Sequence, residues 1–431
     1  MCDLNEEKLE AMESMEMSKK KAIANGGICM KCKVAKAMII IRGSDPLCKE
    51  CFLVYATHKF RSTLGKAKLI KGGDKVLLAV SGGNSSVCML HLVKEALSEG
   101  AHKRLKFTPG IIFIDEYPTV TTAENESCNR GSSIELLANE YGYPYYYVPI
   151  HEGYNGTDAS DTGQSDLSRF QNTYQSLTSL TAQTDFLESL RLSQIVKFAK
   201  KHEYGKVMMG DNATTLSIKL LCNVAHGRGE SIPLDIGVAD LRYEGLTIIR
   251  PLRELNSKEV AIYNRTMRLS VDPVININTK TADGASIQRQ TEAFINGLQV
   301  DFTSTVNTVF RTGDKLTVNE GKHSDKEQCV LCQAPAFRSA IDSSSQGNGE
   351  LCVTKDAESS CCGKSDECTS NRATNQLSRE EILACFCYGC QLTFKDMNYN
   401  LDLLPPDVLD SIHALVKRQK LKSSIEEFLI D

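Results

Sequence analysis

Eight cysteines fall into two sets with paired CxxC spacing, a pattern that lets thiolates share one metal ion. In the N-terminal set, Cys29-x2-Cys32 is followed after fifteen residues by Cys48-x2-Cys51. Four thiolates can surround zinc tetrahedrally, and a site whose positions are all filled by protein is structural rather than catalytic. Such an ion contributes folding free energy and leaves no open position for chemistry. The C-terminal set, Cys329-x2-Cys332 and Cys387-x2-Cys390, carries a long insert between its halves. That insert costs little, because loop-closure entropy grows only logarithmically with length. Cys361, Cys362, Cys368 and Cys385 compete for places here; Cys329, Cys332, Cys387 and Cys390 are the favoured four. Seventeen cysteines in a reducing compartment read first as metal ligands rather than disulfides.

A second kind of chemistry is suggested by Ser81-Gly82-Gly83-Asn84-Ser85-Ser86. Glycines at a strand-to-helix junction let backbone N–H groups converge on an anion, and the helix N-terminus adds partial positive charge. A phosphate or pyrophosphate suits that nest, and a tight turn with serine caps is the plain alternative. A third feature is basic. His58–Lys75 holds Lys59, Arg61, Lys66, Lys68, Lys71 and Lys75 against one acid, Asp74. Either it contacts phosphates or it is a solvated helix face. The net charge of −4 argues against attraction of the whole molecule to nucleic acid, not against a local basic face.

The elements that must position these residues alternate along the chain. "KVLLAV" (Lys75–Val80) is a continuous apolar run that suits a buried parallel strand. "VCMLHLVKEALSEG" has helical spacing and a glycine stop, Gly110–Asp115 repeats the strand signature and Ser132–Gly142 the helix. Tyr145–Ile150 is a third strand, "SQIVKFAKKHEYG" another helix, and Lys206–Asn212 a fourth strand. This order predicts an α/β fold with a doubly wound parallel sheet.

At 431 residues, two or three structural units are expected. The division predicted is 1–57 (tail and first cysteine set), 58–285 (α/β unit) and 286–431 (helical, with the second set). Residues 1–27 are charged and capless, and are expected to fray. His151–Thr184, rich in Ser, Thr, Gln and Asp, reads as a polar exposed insertion, and Ser339–Gln376 as a low-complexity insert. No internal repeat is visible, and Asn155-Gly156-Thr157 is a chance glycosylation match in a chain expected to stay in the cytosol. No apolar run approaches a membrane span.

Strand-SGGxxS-helix at the first strand of such a sheet resembles the PP-loop of the ATP pyrophosphatase superfamily, whose form is SGGxDS. Gly82, Gly83 and Ser86 match, while Ser85 stands where that form has aspartate. Gly210-Asp211-Asn212-Ala213-Thr214-Thr215 resembles the second motif, GHNxDD, with Asp211 in place of histidine and Thr214 and Thr215 in place of both acids. Arg250-Pro251-Leu252, before a helix from Lys258, resembles the RPL segment. Magnesium on a departing pyrophosphate needs carboxylate oxygens, so this nest should adenylate poorly and ATP binding is doubtful.

Catalytic members of the tRNA-thiolating branch also carry a CxxC before the GHNxDD strand and a later cysteine, which hold an iron–sulfur cluster or hand on sulfur. By spacing to Gln194-Ile195-Val196, those CxxC positions fall near Asp185 and Glu188, and Ser270–Val274 has no cysteine. Cys222 lies on the helix after the GDN strand, where a buried structural thiol is expected.

Taken in order, CxxC pair, basic segment, SGGxxS, GxNATT, RPL and the "CYGCQ" pair resemble the eukaryotic cytoplasmic tRNA 2-thiolation protein 2 family over most of the chain. The resemblance implies a cytoplasmic, non-catalytic subunit, a pseudoenzyme in heterodimer with a catalytic PP-loop homologue. Together the two would move sulfur from a thiocarboxylated ubiquitin-like carrier to the wobble uridine of tRNAs for lysine, glutamate and glutamine. Zinc would be structural, with Lys59, Arg61, Lys66, Lys68 and Lys71 as tRNA contacts and Arg228 and Arg250 as lesser candidates. Two other readings stand beside it, an ATP-using thiolase in its own right and a zinc-stabilised interaction module with no RNA role.

Overall fold

The apolar run after Asp74 forms a central strand because both of its faces are covered: Val76, Leu77 and Leu78 are completely buried. The computed structural model describes residues 27–41, 45–100, 104–116, 124–154, 166–271, 282, 284–317, 328–335, 377–395 and 404–426. β1 (Ile39–Ile41) and β2 (Asp45–Leu47) make a small antiparallel pair beside the first CxxC. Helix α1 (Lys49–Lys66) leads into β3 (Asp74–Ala79), α2 (Asn84–Leu97), β4 (Phe107–Asp115), α3 (Glu124–Tyr141) and β5 (Tyr145–Pro149). Then come α4 (Asp166–Ser176), α5 (Leu180–Lys201), β6 (Lys206–Met209), α6 (Ala213–Ala225), α7 (Ile232–Ile236), β7 (Ala239–Asp240), β8 (Thr247–Ile249) and α8 (Ser257–Met267). The C-terminal part contributes α9 (Ile287–Asp301), α10 (Thr305–Gly313), α11 (Arg379–Leu383), α12 (Tyr388–Thr393) and α13 (Pro406–Glu426).

The main sheet runs β5-β4-β3-β6-β8-β7, with every pairing parallel except the edge strand β7. This is the doubly wound α/β architecture that the alternation predicts. Strand order reverses between β3 and β6, and ligand crevices in such sheets open at the carboxyl ends of the strands at that switch point. The loops after β3 and β6, which carry Ser81–Ser86 and Gly210–Asn212, are therefore brought side by side.

On one sheet face, Phe52 and Phe60 of α1, Leu90 of α2 and Val260 of α8 pack with Val76 and Leu78, and Cys29 and Cys48 belong to the same apolar cluster. On the other face, Leu77, Ile112 and Val148 meet Ile195, Val196 and Ala199 of α5. A separate cluster joins Cys329, Cys390, Phe386 and Phe394 to Phe186, Leu187 and Leu190 of α5 and to Ile412 and Val416 of α13.

The stretch 151–184 departs from the exposed insertion expected of it. Residues 155–165 lie outside the described residues, but α4 and the start of α5 are packed, with Tyr154, Phe170 and Thr173 fully buried. One bulky apolar residue per few turns suffices to dock a helix that is polar elsewhere, and composition alone cannot register so narrow a stripe. The tail 1–26 and the insert 339–376 lie outside the described residues. Among those described, no helix is long and apolar enough to cross a membrane.

Candidate functional site

The chain leaves β3 through Gly82 at φ +81°, a left-handed conformation that favours glycine. It enters α2 at Gly83, whose backbone is extended. Within the loop the Ser86 hydroxyl donates to the Gly83 carbonyl at 3.0 Å and accepts from the Ser81 N–H at 3.3 Å, so the nest is partly satisfied by its own serine. Gly210 faces this loop from β6. A Cβ there would lie 3.0 Å from the Ser86 nitrogen and 3.1 Å from its Cα. A side chain there would need the Ser85–Ser86 backbone to shift by a few tenths of an ångström, so this close approach favours glycine.

Asn212 ties the crevice together. Its Oδ1 accepts from the N–H groups of Thr214 (2.9 Å) and Thr215 (3.1 Å), capping α6, and from the Ser257 hydroxyl at 3.1 Å. Its Nδ2 donates to the Ser85 hydroxyl at 2.8 Å, and the Ser257 N–H donates to the Thr214 hydroxyl at 3.1 Å. Ser85, Thr214 and Thr215, which stand where the superfamily form has magnesium-binding acids, are thus neutral and joined through Asn212. Removing this cap should be felt. Asn212→Ala is expected to cost about 2 kcal/mol, the upper range for an N-cap, read by urea unfolding; a loss near zero would show that the network holds nothing.

The acids that do border the crevice are already paired. Glu116, after β4, accepts from Arg191, and Asp211 lies 3.4 Å from Arg250 Nε. Arg250 is fully buried, with Nη1 donating to the carbonyls of Leu234 and Gly237 at 3.0 Å each. Asp185 is buried too, bonded by His226 Nδ1 and Arg228 Nη2 at 3.0 Å each and by Gln288 at 2.7 Å. Burial pushes its carboxyl up, but His226 and Arg228 outweigh that and hold it below the usual range. Both guanidinium groups are thus engaged inside the protein, Arg250 by Asp211 and two carbonyls and Arg228 by Asp185 and the Thr393 hydroxyl.

The basic segment divides. Lys66, Lys68 and Lys71 are exposed at the end of α1 and in the turn beyond it. Lys59 is committed to Glu254 at 3.2 Å, and Arg61 is half-buried.

In each cysteine set the four Sγ atoms lie within 4.8 Å of one another, with Cys32–Cys48 at 3.8 Å and Cys332–Cys387 at 3.6 Å. Tetrahedral zinc with Zn–S near 2.3 Å puts sulfurs about 3.8 Å apart, so both sets fit that ion. The two first knuckles are built alike. Cys29 N–H donates to Ala35 O and Lys33 N–H to Cys29 O, and Cys329 and Gln333 make the same pair of bonds with Ala334 and Cys329. Lys33 and Gln333 both sit at positive φ, 56° and 53°. Burial opposes ionisation of Cys29, but backbone N–H groups of Cys32, Cys48 and Lys31 bring it down to about 6. Such a thiol is predisposed to bind metal as thiolate. Cys385 is occupied elsewhere, its thiol donating to the Glu381 carbonyl at 3.3 Å; Cys361, Cys362 and Cys368 lie outside the described residues. Cys222 is a buried thiol raised to about 11 by desolvation.

A parallel sheet of this order with a strand-SGG-helix loop at its switch point defines the PP-loop α/β class. The same fold occurs in the U34-tRNA thiolase NcsA from Methanococcus maripaludis with its [4Fe-4S] cluster, at a TM-score of 0.53 and 17% identity, covering 73% of this chain and 93% of that one. Residues 286–392 match the family model described as cytoplasmic tRNA 2-thiolation protein 2. Proteins of that name are similar along their whole length: that of Xenopus tropicalis is 34% identical over 100% of this chain and 99% of its own. That of Danio rerio is 34% identical over 94% of each, and that of Homo sapiens 31% over 94% and 93%. The chain belongs to the cytoplasmic tRNA 2-thiolation protein 2 family.

Proposed function

We propose that this protein is a cytoplasmic, non-catalytic subunit required for 2-thiolation of the wobble uridine in tRNAs for lysine, glutamate and glutamine. In this reading it is the scaffold and tRNA-contacting partner of a catalytic PP-loop homologue, which draws sulfur from a thiocarboxylated ubiquitin-like carrier. The observation that carries the non-catalytic role is that Ser85 and Thr214 stand in place of magnesium-binding carboxylates and are tied into one network by Asn212 and Ser257. Neutral hydroxyls and amides bind magnesium weakly and do not offset charge growing on pyrophosphate. The cysteine sets hold structural zinc, one ion each, and the three units 1–57, 58–285 and 286–431 share this work as first knuckle, vestigial nucleotide frame and second knuckle.

Two measurements test the reading together. Cells lacking the chain should lose 2-thiouridine derivatives from those tRNAs, and intact thiolation would sink the assignment. The purified chain with ATP, magnesium and tRNA should release no AMP and pyrophosphate; turnover would make it a thiolase in its own right. The tRNA contact has its own test. Reversing Lys66, Lys68 and Lys71 to glutamate should weaken tRNA binding by the complex and lower the slope of log affinity against log salt by roughly two to three. An unchanged slope would move the contact elsewhere.

A further inference from the structure

The two cysteine sets differ in what surrounds them. Among the described residues around the first, Lys31, Lys33, Lys36 and Lys49 are all exposed. The second lies against a buried cation. Arg228, just beyond α6, carries its side chain across Gly389, inside the Cys387–Cys390 loop; a Cβ at 389 would sit 2.4 Å from Arg228 Nε and 2.5 Å from its Cγ. The fit is reciprocal. The ring of Tyr388 covers Gly227, where a Cβ would lie 2.7 Å from the ring and φ is +67°. Two glycines, one on each side, thus let Gly227-Arg228 and Tyr388-Gly389 interlock.

The guanidinium is held in that position. Its Nη2 donates to Asp185 Oδ2 at 3.0 Å and to the Thr393 hydroxyl at 3.2 Å, at the end of α12. Its Nε–H is buried with no hydrogen-bond acceptor among the described residues. A divalent ion in four thiolates carries two net negative charges, and a buried charge of that size requires an opposite partner.

We propose that Arg228 is the counter-ion of the metal held by Cys329, Cys332, Cys387 and Cys390, oriented by Asp185 so that its guanidinium lies over the Cys387–Cys390 loop. The first set relies on no equivalent among its described neighbours. Asp185 is a positioning residue, and through it the second metal site is anchored to α5. The inference rests on both sets being zinc sites, and the experiment separates the two ideas.

The test uses the full-length chain, with bound zinc counted and its release followed with a chromophoric chelator. The wild-type chain should hold two ions; fewer than two, with the C-terminal cysteines empty, refutes the zinc reading itself. Arg228→Met should release the C-terminal ion at least about tenfold faster, the scale of effect typical of a ligand's hydrogen-bonding shell, and leave the N-terminal ion unchanged. Because that variant leaves buried Asp185 with His226 as its one remaining basic partner among the described residues, Asp185→Asn/Arg228→Met is measured beside it. If the double variant also loses the C-terminal ion quickly, the missing positive charge is responsible. If it returns to the wild-type rate, or if Arg228→Met alone does, the counter-ion role is overturned. Should Arg228→Met fail to fold, the double variant decides.

Discussion

Cys48→Ser is expected to unfold much more than a surface knuckle. The apparent binding free energy of a structural zinc in tetrathiolate or related sites is about 10–16 kcal/mol, comparable with the entire stability of a typical domain at about 5–15 kcal/mol. Cys48 also starts α1, and it shares one apolar cluster with Cys29, Phe52, Phe60 and the strand residues Val76 and Leu78. Loss of the ion therefore loosens α1 where it covers the sheet. The expected outcome is one ion fewer and either insoluble protein or a melting temperature lower by well over 10 °C, since about 1 kcal/mol moves the midpoint by roughly 2–4 °C in a domain of 150–250 residues. Cys222→Ala, at a buried thiol that belongs to neither set, supplies the control and should keep both ions. A Cys48→Ser protein that melts within a few degrees of wild type would show that the first knuckle is dispensable to the fold.

Arg242→Leu should be the most costly single change away from the cysteines, at about 3–5 kcal/mol, the range for stranding buried charges. The guanidinium donates to Asp240 through Nε (3.0 Å) and Nη2 (2.6 Å) and to Asp235 Oδ1 at 2.6 Å. Asp240 is completely buried and Asp235 nearly so. Asp235 further accepts from Asn223 at 2.8 Å and Ser231 at 2.7 Å, but those neutral donors cannot replace a cation. The pH dependence has a definite sign. Burial raises the Asp235 carboxyl, while Arg242 and Lys219 bring it below its ordinary value. A group lowered in the folded state stabilises above the unfolded value near 4 and loses that contribution as pH falls through the folded value. Without Arg242, burial raises that carboxyl in the variant, so the gap between wild type and Arg242→Leu should be widest near neutral pH and shrink as pH falls through the carboxylate range, as read by urea unfolding. A gap that does not shrink would assign the effect to lost packing.

Much of this was legible in the residues. Lys75–Val80 followed by Ser-Gly-Gly reads as strand and loop because a strand buried on both faces must be apolar without alternation, and the loop must then turn sharply. The CxxC pairs declare themselves because ligand spacing is local. Other features lie beyond local reading. β7 is two residues long and β8 three, too short for any period. Helix α4 hides one buried phenylalanine among polar neighbours. Arg228 looked like a free cation because its partner, Asp185, is 43 positions upstream, and only tertiary packing reveals the pair. Asn212 is legible as part of a motif, yet its bond to Ser85, at the start of the helix that follows the adjacent strand, needs the switch-point topology to exist.

The shared packing of Cys29 and Cys48 with the sheet has a consequence for the life of the chain in a cell. On the zinc reading, capture of an ion by the first knuckle is coupled to closure of α1 over β3, so a newly synthesised chain that finds no metal is expected to leave that sheet face uncovered. Exposed apolar surface of that kind is what chaperones and proteases recognise. Abundance of the protein should accordingly track the supply of the ion, and scarcity would be felt as loss of protein rather than as a full pool of impaired molecules.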